Sequence, residues 1–394
     1  MRSAGKGQKQ RQWFISRSIW ISLLAFLALT PRTARPQISG YTKHLHAVIV
    51  MPACPEWLLS SMVHNRIDAT WHAASGMQMT LGLRNRLIYG DLVSLIPHYA
   101  ETLEEDPGYW RWSRVIADGS SWVVHSMIDR GYIDYTHRNW QLRLGRQRIN
   151  WGMNLVWNPN DLFNSFSYID FDYEERSGRD AVQVTCYTGA VSFLQAVYQP
   201  AEDANEAVLA MLYRMNRWGY DLQVLGGRWA RDWVVGAGWS GQAGGGAVRG
   251  EWTWFHPRDT GMFRTTWIAS LSADYTLRNG LYGQISLLYN SAGKTGAAGA
   301  IDFLGEMYLT AKTLTRSRLN GFVQLRYPLT PLVTVDTAII HNPCDHSCYV
   351  APSISVSLGD NLDFLLIGQF LSGDPGSEFG GDAKVGYTRL KWSF

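Results

Sequence analysis

The sequence predicts an all-β chain, a transmembrane antiparallel up-and-down barrel of about 16–18 strands. Three observations carry this. Segments of roughly ten residues alternate apolar and polar side chains along most of the chain, as a wall between hydrocarbon and water requires. Tight Gly/Asn turns and longer polar loops separate them in alternation. Aromatics make up 13% of the residues, with 18 Trp and 19 Tyr, which suits rings placed at the headgroup level on both sides of a bilayer. The mean hydropathy of -0.16 argues against a bundle of apolar helices, since a barrel wall stays polar on average. A net charge of +3 is too small to imply a nucleic-acid partner.

The first element is an export signal. Arg2, Lys6, Lys9, Arg11 and Arg17 stand in a segment without acids, and the apolar run Ile19–Leu29 is 11 residues long. That is the length of a signal core and too short to span a bilayer. The chain therefore divides into a signal peptide over 1–36 and a barrel over 37–394. An amphipathic helix kept in the mature protein is the alternative. No later segment reaches the roughly 18 apolar residues of a spanning helix.

The first strand lies near Ile38–Val50. A hairpin follows, Met62–His72 and Met77–Tyr89; His64, Arg66, Asp68 and Thr70 share one face of its first arm. On the second arm Thr80, Gly82, Arg84 and Arg86 oppose Leu81, Leu83 and Leu87. Residues 91–121 lack a strand pattern and read as an external loop holding Glu101, Glu104, Glu105 and the aromatics Tyr109, Trp110 and Trp112. Later hairpins turn at Gly189, at Gly219, in a Gly-rich tip over 241–246, at an Asn-Gly signal over 277–280, at 328–331 and at 359–361. Strands are read over Thr315–Tyr327 and Ala383–Phe394, with a short helix at Phe303–Lys312. From a periplasmic N-terminus, every tight turn falls on one side; the loops at 90–121, 152–178, 257–264, 291–312, 341–348 and 372–382 fall on the other. The short connection near Arg231 fits this worst.

Trp140–Asn164 is the most informative stretch. Leu142 and Leu144 fall on one face of a strand, Gln141 and Arg143 on the other. Gly145 interrupts the alternation as a bulge would. Beyond it Arg146, Arg148 and Asn150 share a face opposite Ile149 and Trp151, and the strand ends at Gly152. The pattern GRQxxxWG (Gly145, Arg146, Gln147, Trp151, Gly152), followed by NPNDLFN (Asn158–Asn164), resembles porin-like outer-membrane proteins of Gram-negative bacteria, including alginate-export-type porins. The resemblance covers about 25 residues and implies an outer-membrane location and a transport role, not a solute. A C-terminal Phe394 after an alternating strand resembles the signal read by the outer-membrane assembly machinery.

With the polar face inward, the expected pore-lining and constriction residues are Arg66, Arg84, Arg86, Arg143, Arg146, Arg148, Arg316 and Arg318, with Asp161 on an inward-folding loop over 153–178. Cationic side chains around a confined lumen lower the barrier for anions. The expected function is passive diffusion of small hydrophilic, anionic solutes. The opposing reading pairs these arginines with carboxylates that stiffen the wall. NPNDLFN is read as fixing its own turn rather than binding a ligand. Trp252, Trp254 and Trp267 are read as girdle residues rather than sugar platforms. Cys344 and Cys348 suggest a local disulfide, and with His341 and His346 a metal site is the minor alternative. No cofactor is expected. Expected partners are outer-membrane lipids, the assembly machinery and a small solute, and a homo-oligomer is compatible with the sequence. Two competing classes are a non-conducting surface-binding or assembly barrel and an outer-membrane hydrolase drawing on His256, Asp259, His341, Asp345 and His346; no catalytic spacing supports the second.

Overall fold

A computed structural model describes residues 36–394 except 53, 107, 166–167, 171–177, 260–263 and 300–308. The predicted signal peptide thus lies outside the described residues but for Pro36. In chain order the elements are β1 (Gln37–Met51), β2 (Cys54–Ala74), β3 (Met77–Gly90), α1 (Asp91–Leu95), α2 (Tyr99–Glu104), β4 (Ser113–Asp118), β5 (Trp122–His137), β6 (Trp140–Gln147) and β7 (Arg179–Tyr187). Then come β8 (Phe193–Gln199), β9 (Val208–Arg217), β10 (Tyr220–Trp229), β11 (Asp232–Ala243), β12 (Gly246–Pro257) and β13 (Thr266–Thr276). The last are β14 (Tyr282–Asn290), β15 (Leu319–Thr330), β16 (Val333–Asn342), β17 (Ser347–Gly359), β18 (Leu362–Ser372) and β19 (Lys384–Ser393).

Strands pair antiparallel with their neighbours, and β1 pairs with β19 from Tyr41↔Ser393 to Val50↔Lys384, closing the sheet. Closure leaves no edge, which matters because hydrocarbon offers no partner for a free N–H or C=O. Eighteen strands form the ring. The short β4 pairs with β5 at 123–127, on the edge that β6 uses at 131–137, and so completes β6's place in the wall. The start of β1, the end of β19 and the short turns, among them 75–76, 138–139, 218–219, 244–245 and 360–361, lie at one end, the periplasmic one in barrels of this kind. The long connections at 91–121, 148–178, 291–318 and 373–383 lie at the other.

Leu59, Ile67, Leu142, Leu144, Leu209, Met211, Leu271, Ile285, Leu287, Val323 and Leu325 are exposed on the outer face and form an apolar belt. Trp252, Trp254 and Trp267 also face outward: Trp254 lies opposite Trp267, whose ring stacks 4.6 Å from that of Tyr289. An apolar exterior on a closed barrel makes this an outer-membrane protein.

Several local readings need correction. The second strand starts at Cys54, not Met62, and pairs along its length with β1. Gly145 is no bulge: β6 keeps register from Trp140 to Gln147. It does adopt φ 118°, where a Cβ would lie 2.3 Å from the Gly131 carbonyl oxygen. The bulge sits one strand away, at Asp129 of β5, where pairing to β3 slips between Gly82 and Leu83. β6 ends at Gln147, so Ile149 and Trp151 do not face lipid; both are buried inside. β15 begins at Leu319, leaving Arg316 and Arg318 in the preceding loop. The predicted helix at Phe303–Lys312 lies outside the described residues except for 309–312, which are a turn and loop. Cys186, Cys344 and Cys348 are free thiols, so no local bridge joins Cys344 to Cys348, which lies in β17 opposite His341.

Candidate solute pathway

The inner face has two halves. Across β19, β1, β2, β3 and β5 the register sets Lys391, Lys43, His64, Arg86 and His125 in one lateral row. Arg86 points Nε and Nη2 at His125 Nδ1, at 3.4 and 3.3 Å. With Nδ1 accepting, His125 Nε2 carries the proton and donates to Ser113 Oγ at 2.7 Å; Ser113 Oγ donates onward to the Leu103 carbonyl at 2.7 Å. That polarity is opposite to a base activating a serine. Both ring nitrogens of buried His64 lack a partner among the described residues.

Two residues along the strands from this row, Arg66 is fully buried. It donates to Asp68 (2.7 and 2.9 Å) and to Asp129 (2.6 Å), and Arg84 reaches the same Asp129 oxygen at 3.3 Å. The β5 bulge inserts Asp129 between two guanidiniums. Gly82 leaves the space: a Cβ there would lie within 3.1 Å of Asp68, Arg66 and Asp129. Toward the periplasmic end the arginines pair across strands: Arg143 with Asp134 at 2.7 Å, Arg326 with Asp336 at 2.8 Å, and Arg249 with Asp274.

Arg146 is set apart from these. It is 1% exposed, paired with Asp180 (2.9 Å) and Asp106 (2.8 Å), donates to the Trp110 and Ile128 carbonyls, and lies 5.0 Å from the Trp112 ring. It fastens the external segment 106–112 to the wall. Arg148 is half-buried just past β6, its Nε unpartnered among the described residues. Arg316 and Arg318 donate to the carbonyls of Gly299 and Gly293 within the 291–318 loop.

From β8 to β18 the inner face is covered, and it mixes buried apolar side chains with polar ones such as Gln223, Thr253, Ser270 and Gln284. Val197, Leu212, Leu225, Val234, Phe255, Ile268, Leu288 and Phe322 are buried against Ile149, Trp151, Val156, Trp157, Leu162 and Phe163 of the inward segment. Wall side chains also hold that segment's backbone. Gln223 Nε2 donates to the Trp151 carbonyl at 2.8 Å, Trp229 Nε1 to that of Leu162 at 2.9 Å, and Gln369 Nε2 to that of Ile169 at 2.8 Å. Glu251 of β12 accepts from the backbone N–H groups of Met153, Asn154 (2.8 Å) and Asn160 (3.0 Å). Asn160 donates to the Ala237 carbonyl at 2.9 Å and accepts from Thr253 Oγ1 at 2.7 Å. Asp161 is buried, accepts from the Asn164 N–H and lies in a turn closed by its own N–H to the Asn158 carbonyl at 3.0 Å. NPNDLFN thus shapes its turn and grips the wall. Sequence reasoning missed Gln223, Thr253 and Gln195, whose Oε1 accepts from the Trp151 indole N–H at 2.6 Å, since nothing local marks an inward polar residue as an anchor for a segment far away in sequence.

At the outer mouth Glu378, 2% exposed, joins three loops. It accepts from Arg316 N (2.8 Å), Ser317 Oγ (2.6 Å) and Asn342 Nδ2 (3.2 Å), and its own N–H donates to Asp345 at 2.7 Å. Burial pushes its carboxyl above the usual range, the Ser317 and Arg316 hydrogen bonds oppose this, and Asp345 adds to the rise. The described residues hold no group of three or more His, Cys, Asp or Glu placed to bind a metal.

The barrel superposes on the crystal structure of Pseudomonas aeruginosa OccK5 (OpdH) with TM-score 0.59 and 7% identity, covering 91% of this chain and 98% of that one. The fold is that of an outer-membrane barrel. Outer membrane protein OprD from P. aeruginosa gives TM-score 0.54 at 8% identity over 91% and 93% of the two chains. Acinetobacter baumannii OccAB1 gives 0.54 at 10% over 92% and 97%. At such identities the likeness speaks for architecture. No family model and no curated protein sequence matches this barrel.

Proposed function

We propose that the barrel is a passive-diffusion channel for small hydrophilic solutes, with a preference for anions. The observation that carries this is the division of the inner face. The inward segment covers the β8–β18 half, leaving the route along the half that bears the half-buried Lys391 and Arg86, with Lys43 and His64 buried in the same row. In this reading Arg86, Arg143 and Arg148 set the field, Arg316 and Arg318 gather anions at the outer mouth, and Asp161 belongs to the constriction. Arg66, Arg84 and Arg146, buried and ion-paired, stiffen the wall. Phe394 serves the assembly machinery. The motif likeness to alginate-export-type porins makes uronate oligosaccharides the first solutes to try.

Reversal potentials in a salt gradient across planar bilayers test this; anion preference is expected, and cation preference refutes it. The packed core inside the barrel favours a second reading, a wall closed to solutes. Absence of conductance from folded, reconstituted protein would select it.

A further inference from the structure

Glu251 is 3% exposed on the inner face of β12, in the half that the inward segment covers. Its carboxylate meets no arginine or lysine at ion-pair distance among the described residues. Instead three backbone N–H groups from two points of the inward segment converge on it: Met153 and Asn154 on Oε1, Asn160 on Oε2. Successive N–H groups pointing inward make a concavity that suits an anion. Here the wall supplies that anion as a side chain, and both oxygens are used.

Other wall contacts cluster around this one. Ser270 Oγ donates to the Trp157 carbonyl at 2.9 Å, and Thr253 fixes Asn160. Ser270 Oγ also accepts from Asn154 Nδ2, so it links Asn154 to Trp157, while Thr253 holds one point. Glu251 alone spans the turn from Met153 to Asn160, so it fixes how far the segment stands off the wall. An apolar contact with the same wall is tolerant of sliding, whereas a carboxylate with three donors has one seat.

We propose that Glu251 is the positioning residue of the constriction, setting the bore by seating the 153–160 turn against β12. The proposal rests on the channel reading. Without this carboxylate the three amides form an unfilled anion nest, which a small free carboxylate would fill.

The test compares single-channel conductance of wild type, Glu251→Gln and Glu251→Ala in planar bilayers, with formate as the probe. Conductance of Glu251→Ala is expected to rise roughly twofold as the segment leaves the wall, and formate should return it toward wild type while leaving wild type unchanged. Glu251→Gln, keeping one acceptor, should fall between, and it serves if Glu251→Ala does not fold. Unchanged conductance in the folded variants overturns the proposal. So does a rise that formate does not reverse, since general loosening of the wall has no anion dependence. Should wild type not conduct, the channel reading fails by itself. Protease protection of residues 148–178 then decides the positioning role: formate-reversible loss of protection in Glu251→Ala supports it, and full protection overturns it.

Discussion

On the inner face from β1 to β6 the buried side chains are charged and answer one another across neighbouring strands. From β8 to β18 they are apolar and neutral polar side chains, with Glu251 among them, and they answer a segment that arrives from the top of β6. Arg66, Asp68, Asp129 and Arg84 represent the first half; Phe255, Ile268, Leu288 and Phe322 represent the second. Both faces follow the same two-residue period. Period alone therefore separates lipid from interior, but it does not say whether the interior is wet or filled.

The comparison is broken most severely on the charged side. Asp129→Ala would leave the Arg66 and Arg84 guanidiniums short of a buried partner, at a cost of about 4 kcal/mol. Denaturant unfolding in detergent should show it, and adding Arg66→Met should recover much of the loss. A small loss would mean that water reaches this cluster. On the filled side, Leu288→Ala opens a cavity costing about 3 kcal/mol. Because no charge changes, reversal potential should stay at the wild-type value, and a shift in ion preference would argue that Leu288 faces the route.

The wall was legible because Leu142 and Leu144, like Leu209 and Met211, repeat at period two, and because tight turns sorted to one end. The filling was not. Ile149 and Trp151 continue the alternation of β6 in sequence, yet they leave the wall, since Gln195 accepts from the Trp151 indole N–H, and Gln223 and Glu251 bind nearby backbone, from strands 44 to 98 residues away. Arg146 looked like one more inward arginine. Its partners Asp106 and Asp180 lie 40 and 34 residues distant, in a loop and on another strand, and no periodicity reveals such a meeting. Asp129 similarly owes its place to a bulge whose signature, an Asp among Ile128 and Arg130, resembles any strand residue.

Two smaller effects sharpen the contrast at the mouths. Glu378 has a raised carboxyl in the folded loops and an ordinary one when they open. Its contribution is therefore fully present below the ordinary carboxylate value and is lost as pH rises through the folded one. Acidification should tighten the junction of the 291–318, 343–346 and 373–383 segments, read as slower protease cleavage there. Glu378→Gln should remove that dependence; a wild-type-like pH response in the variant would assign it to another group. At the periplasmic end Arg326 is 55% exposed on its side chain, so Arg326→Gln should cost under about 1 kcal/mol in stability. Its effect on reversal potential should be slight, and a large one would place the selectivity zone there instead.

The most direct measurement is thiol blocking from the lumen. Single cysteines replace Arg86 on the charged half and Ile268 on the filled half, in a background with the native cysteines removed. A bulky water-soluble thiol reagent is then added during conductance recording. The two-half account predicts that the reagent blocks current through the Arg86→Cys barrel and leaves the Ile268→Cys barrel untouched. Block at Ile268→Cys with none at Arg86→Cys would contradict it.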